Sequence, residues 1–199
     1  MGTSASALEA PVDNYSIFEQ ALQISPPELT ENLGQLVLIS RRDFNERESF
    51  LCRTTTSSLE YACLMIENAL LLRTNRSGRV YAGFERLSYF QPIMDRYSRI
   101  ADISDSVYLF GQDDWRPPRH PNIRVMPLEP GSRLAKESFL ITQSSGLNCA
   151  LIAFEPLEEE TVLRLGESLN YWLLKTSNCG VVGQLSNALE HLIDVTLAA

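Results

Sequence analysis

Residues 80–111 read VYAGFERLSYFQPIMDRYSRIADISDSVYLFG, and this stretch decides the fold. Val80 to Glu85 is an apolar and aromatic run that ends in a carboxylate, the pattern of a strand. Pro92 suits the first turn of a helix, because its missing N–H has no partner there in any case. Ile93, Met94, Tyr97, Ile100 and Ala101 then fall on one helical stripe, while Asp95, Arg96, Ser98 and Arg99 fall on the other side. Ser106 to Gly111 (SVYLFG) reads as a compact central strand. Strand, helix and strand in succession place the chain among α/β or α+β proteins.

Working outward toward the N-terminus, Leu59 to Leu72 is the strongest helical pattern, apolar on most sides. Ser57 and Ser58 offer it an N-cap, and Ser57 with Glu60 fits a capping box. Arg41 to Thr55 is charged and mixed, and reads as loop with some helix. Leu36 to Ser40 (LVLIS) suits a strand or a helix end, with the strand preferred. Asn14 to Ile24 places Ile17, Phe18, Ala21 and Leu22 on one face of a short helix that Pro26 and Pro27 stop. Residues 1–13 are small, polar and without pattern, the signature of a flexible leader.

Toward the C-terminus, Gln112 to Asn122 is a proline-rich loop, and Ile123 to Leu128 a strand whose Pro127 points to an edge. Leu134 to Glu137 suits a short helical piece. Phe139 to Thr142 and Cys149 to Phe154, separated by Ser144-Ser145-Gly146, read as an antiparallel hairpin. Glu158 to Leu174 reads as helix interrupted near Gly166, followed by an amphipathic helix carrying Val181, Val182, Leu185, Leu189, Leu192 and Ile193. The expected fold is a single α/β (α+β) domain, a mixed central sheet of about five strands flanked by helices with a C-terminal helical extension. The expected divisions are a leader over 1–13, a domain over 14–155 and a helical segment over 156–199.

The chain has 199 residues, 44% hydrophobic and 21% charged, ordinary globular usage. No apolar run approaches the ~20 residues of a membrane span. With 17 basic residues against 25 acidic ones the net charge is −8. No basic stripe offsets it, so direct nucleic-acid binding is not expected. Cys52, Cys63, Cys149 and Cys179 are widely spaced, with no close pair of the kind that holds structural zinc. With no signal peptide in view, reduced thiols and a cytoplasmic location are expected.

The middle of the chain resembles the DICT domain, a sensory module named for diguanylate cyclases and two-component systems. The resemblance is carried by an ordered series: Gly83-Phe84-Glu85, Phe90, Arg96-Tyr97-Ser98-Arg99-Ile100-Ala101, Leu109-Phe110-Gly111 and Val125 through Phe139. Tyr15-Ser16-Ile17-Phe18-Glu19 is similar to the family's opening. It covers roughly residues 15–155 and fades at Pro156-Leu157-Glu158. It implies a non-catalytic cytoplasmic input domain of bacterial signalling, often cyanobacterial, with a proposed link to light responses. It brings no active-site residues and no known cofactor. The partners it implies are a signalling output protein or domain.

The residues themselves offer little catalytic chemistry: no Walker A loop, no HExxH, no GxSxG. His120, in a Pro-rich loop, and His191 both read as solvent-facing. Cys52 and Cys63 lack the flanking histidine expected beside a bilin-linking thiol. Glu85 at a strand end and Arg96 or Arg99 on the next helix suit either a ligand pocket or a structural salt bridge, the latter preferred. Trp115 suits a binding anchor or a lid over the core. Val182, Leu185, Leu189 and Leu192 recur at spacings of three, four and three, the seam of a paired helix, so a homodimer is expected there. The broader stripe with Val181 and Ile193 suits packing on the domain's own sheet instead. The leading function is thus a non-enzymatic sensory or interaction module. The alternative is a small-molecule-binding or small enzymatic α/β domain with a polar pocket at the strand ends.

Overall fold

The computed structural model describes residues 14–26, 28, 30–73, 77–156 and 170–198. Eight strands form one mixed sheet: β1 (Thr30–Gln35), β2 (Ser49–Thr54), β3 (Arg79–Arg86), β4 (Ser106–Gln112), β5 (Ile123–Pro127), β6 (Glu137–Gln143), β7 (Asn148–Phe154) and β8 (Tyr171–Thr176), in the spatial order β1-β2-β8-β7-β6-β3-β4-β5. β1 pairs with β2 in parallel, as β3 does with β4 and β4 with β5. The strands between β2 and β3 pair antiparallel. The parallel pairs need crossover connections. A 3₁₀ turn at Leu36–Leu38 with helix α2 (Arg41–Glu46) joins β1 to β2, and a 3₁₀ stretch at Leu87–Ile93 with α4 (Met94–Ala101) joins β3 to β4. α3 (Thr56–Leu71) carries the chain from β2 across the sheet to β3 and packs on β7 and α4.

The pleat sorts the core into two layers. Val80, Ala82, Val107, Leu109, Leu151 and Leu173 face α3 and α4. Tyr81, Tyr108, Phe110, Ile141, Ile152 and Leu174 face the opposite side, where α1 (Ile17–Ile24) and α5 (Cys179–Ala198) lie. Two glycines set close approaches. A Cβ at Gly83 would sit 2.2 Å from the Phe139 ring, and one at Gly111 would sit 2.8 Å from the backbone of Leu87. Both glycines belong to the motif series, and these contacts are their physical reason.

The single α/β domain with a mixed sheet, flanking helices and a C-terminal helix agrees with expectation; several local readings do not. The sheet has eight strands rather than about five. The expected C-terminal extension is not wholly helical: Tyr171–Thr176 is β8, between β2 and β7 in the middle of the sheet. Buried on both faces, it lacks alternation, and a short apolar run of that kind does not distinguish strand from helix. The rest of the expected 158–174 helix, through residue 169, and the leader over 1–13 lie outside the described residues. Leu36–Leu38 is a 3₁₀ turn, and the strand precedes it at β1, an edge strand with polar residues at its exposed positions. β2 lies within the stretch read as loop with some helix. Ser106–Gly111 is a strand but stands one place from the β5 edge.

Two helix readings also change. The cap of α3 is Thr55, whose hydroxyl accepts from Ser58 N at 3.2 Å, so Ser57 lies inside the helix and the Ser57–Glu60 box does not form. α3 buries one face rather than most sides, leaving Tyr61 58% exposed.

Candidate functional site

The expected polar pair does not assemble. Glu85 lies beside Arg86 at 3.6 Å, both half exposed. Arg96, expected to face outward, turns inward and donates through Nη1 to Glu67 Oε2 at 2.6 Å. Glu67, on α3, is buried, so the arginine is occupied by a structural carboxylate. Arg99 stays on the exposed face of α4. Trp115 is half-buried against the α3-side core, the lid placement.

Val182, Leu185, Leu189 and Leu192 are all buried against the chain's own sheet and α1. They are therefore core residues, and the seam reading of this stripe is corrected. The broad stripe is the cause: a helix apolar over more than an a/d seam packs on a sheet. His120 is also not solvent-facing: its side chain is 17% exposed, with Nε2 3.1 Å from Asp102 Oδ1 and Nδ1 accepting from Asn122 N at 3.2 Å.

The thiols of Cys52, Cys63 and Cys149 are poorly placed for nucleophilic work. Burial pushes Cys52 up to about 12 and Cys149 up to about 11, and raises Cys63 further with help from the Glu67 charge. A thiol held protonated is unreactive. Among the described residues no group of three His, Cys, Asp or Glu side chains could hold a metal ion. Among them, too, no helix is long and apolar enough to cross a membrane.

Two further buried charged side chains besides Glu67 have structural partners. Glu137 of β6 accepts from Ile17 N at 2.9 Å and Phe18 N at 3.2 Å, and from the Ser16 hydroxyl, capping α1 from across the domain. Burial raises its pKa, opposed by those hydrogen bonds. Lys175 of β8 donates to the Arg47 carbonyl and to Ser177 Oγ at 3.2 Å. Its Nζ lies 6.0 Å from the Phe44 ring centroid and 5.9 Å from that of Phe50. Burial lowers its pKa.

The concave site lies in front of Phe44. Gly34, at φ 74°, turns the chain out of β1 into the Leu36–Leu38 turn, an αL conformation that costs glycine little. Ser40 then caps α2, its hydroxyl accepting from Asp43 N at 3.0 Å. The turn and α2 stand opposite α3 and enclose a cleft of about 290 Å³. Leu36, Phe44 and Ala62 form its buried floor, and Ile39, Tyr61 and Met65 its walls. Arg41, Ser57 and Ser58 are its polar lining, and Val37 completes the rim. A shallower depression of about 410 Å³ follows the loop Pro117–Pro121 and the outer strand β5.

Sequence reasoning missed the α2–α3 cleft. Its signal was the LVLIS run, whose Val37 and Leu38 are 65% and 78% exposed rather than part of a strand. Val37, an apolar side chain left in solvent at the rim of a cleft, is a feature that only the fold displays.

Comparison with curated proteins finds no match, and comparison with solved structures finds none either. Residues 42–156 match the family described as DICT, the sensory domain in diguanylate cyclases and two-component systems. That span holds most of α2, all of α3 and strands β2 through β7, including the glycines that seat Phe139 and Leu87. With more than half its length inside that match, the chain belongs to the DICT family of sensory domains.

Proposed function

We propose that this non-catalytic sensory domain works by binding a small molecule in the α2–α3 cleft and passing its occupancy to a signalling output protein or domain. The cleft itself carries the reading: a largely apolar hollow with a few polar groups, near the lower end of the size range of small-molecule sites. α3 runs from the cleft to α4, and the Arg96–Glu67 pair joins those helices, so a ligand that shifts α3 has a rigid element to act on. The strand-end pocket is the weaker alternative, because Arg96 is already paired within the domain.

The proposed setting is the bacterial cytoplasm. A second copy of the chain is a further proposed partner, through a surface other than the buried α5 stripe. A part in light responses calls for a chromophore, and a visible absorption band of the purified protein is the check.

The cleft reading is tested by a thermal-shift screen of metabolites, nucleotides and tetrapyrroles on the wild type and on Met65→Trp, which fills the hollow. A ligand that stabilises the wild type and not the variant supports the reading. Stabilisation that survives in both Met65→Trp and Tyr61→Ala places the ligand elsewhere and overturns it. Tyr61→Ala alters an exposed wall and leaves the core intact.

A further inference from the structure

We propose that the α2–α3 cleft selects an amphipathic anion, with a carboxylate or phosphate head on an unbranched or flat apolar body. The inference rests on the cleft being the sensory site and names the chemistry of its occupant. Along the α3 wall the lining changes in a fixed order. Ser57 and Ser58 occupy the first turn, Tyr61 and Ala62 the second, and Met65 the third. At 1.5 Å per residue the hydroxyl end and the methionine end stand about 12 Å apart. A ligand lying along this wall meets hydroxyls at one end and only apolar surface at the other. A polar head with an apolar body fits that order, and a molecule polar all round does not.

The sign of the head follows from the charge. Arg41 is the single charged residue that lines the cleft, in a chain of net charge −8. The nearby arginines are engaged: Arg42 on α2 with Glu46 at 2.9 Å, and Arg47, just after the helix, with Glu31 and Asp43. Arg41 has no ion-pair partner among the described residues, so its guanidinium fork is available for two oxygens of one head group. The α3 N-terminus adds the positive end of a 16-residue helix beside Ser57 and Ser58. Carboxylate and phosphate share this recognition; the apolar body is held by Leu36, Phe44 and Tyr61.

The experiment titrates the full chain by calorimetry with four ten-carbon probes below their micelle concentrations: decanoate, decyl phosphate, decanol and decylamine. The expected result is that at least one anion binds 10-fold or more tightly than decanol, and that decylamine is the weakest. Arg41→Gln should bring the anions to within about threefold of decanol and leave decanol unchanged. Tyr61→Ala should weaken all the probes that bind. A preference between decanoate and decyl phosphate identifies the head group. Decanol or decylamine binding as tightly as both anions, with the affinity still lost in Tyr61→Ala, overturns the anion selectivity while the cleft stands. Affinity for the anions that neither Arg41→Gln nor Tyr61→Ala changes, or no binding by any probe, overturns the inference. In that case the independent metabolite screen on Met65→Trp decides whether the cleft reading falls with it.

Discussion

Arg96 Nη1 donates to Glu67 Oε2 at 2.6 Å, joining α4 to a carboxylate of α3 that is 2% exposed. Removing one member of a buried pair strands the other, at a cost of ~3–5 kcal/mol when both are buried. Arg96 keeps a third of its side chain in water, and the expected loss for Arg96→Met is therefore smaller, about 2 kcal/mol. Glu67→Gln, which retains an acceptor, should cost less. A double-mutant cycle read by urea denaturation should give a coupling of at least ~1 kcal/mol. Additive effects would remove the pair from the account.

Glu137 reaches α1 from β6, and its hydrogen bonds to Ile17 N and Phe18 N hold a short helix whose sequence neighbours are far away. Glu137→Ala leaves those amides without a buried acceptor, at about 1–3 kcal/mol. The expected signature is local: amide exchange in α1 accelerates more than in β3 or β4. Equal acceleration everywhere would mean that Glu137 supports the whole sheet rather than the helix.

Lys175 carries a pH dependence with a definite sign. Its folded pKa is lowered by burial below the ordinary value of 10.5. Between the folded and unfolded values the unfolded chain binds the proton that the folded chain has released. Stability from this group therefore rises with pH across that window, and below the folded pKa the full cost of the buried cation is present. Lys175→Met should flatten the stability–pH curve on the alkaline side, up to about 10.5. A curve of unchanged slope would contradict the burial of the ammonium.

Gly83 and Phe139 form a steric pair. A methyl at Gly83 would lie 2.2 Å from the Phe139 ring, whose sheet neighbours leave it little room to retreat. Gly83→Ala should cost about 1–3 kcal/mol, the usual range for overpacking. Adding Phe139→Leu should return part of that loss, a sign change no other account of the glycine gives. Thermal melts of the two single variants and the double are sufficient.

Leu189, fully buried on α5, separates core from seam. Leu189→Ala should destabilise by about 2–5 kcal/mol. The solution mass of the folded variant should equal that of the wild type. A variant that keeps its melting temperature and changes its mass would restore the seam.

Much of this protein was legible as sequence because local physics dominates there. VYAGFE and SVYLFG are continuous apolar runs because both faces of their strands are buried, the Met94–Tyr97–Ile100 stripe follows the period of a helix buried on one face, and the β6–β7 hairpin is marked by its turn residues Ser144-Ser145-Gly146. The glycines beside Phe84 and Phe110 gave the family series its recognisable form. What tertiary structure alone decided has no local period. β8 is buried on both faces, so YWLLKT shows no alternation; β1 is a polar edge, so TENLGQ shows none either. Five hydroxyl residues run from Thr54 to Ser58, and only the position of β2 makes Thr55 the cap. Arg96 was expected at a strand end with Glu85, yet its partner is 29 residues away on α3, because side chains pair with what the packed helices bring near. The α2–α3 cleft is of the same kind: its polar and apolar lining comes from three separate elements, and a hollow between elements exists only once they are packed.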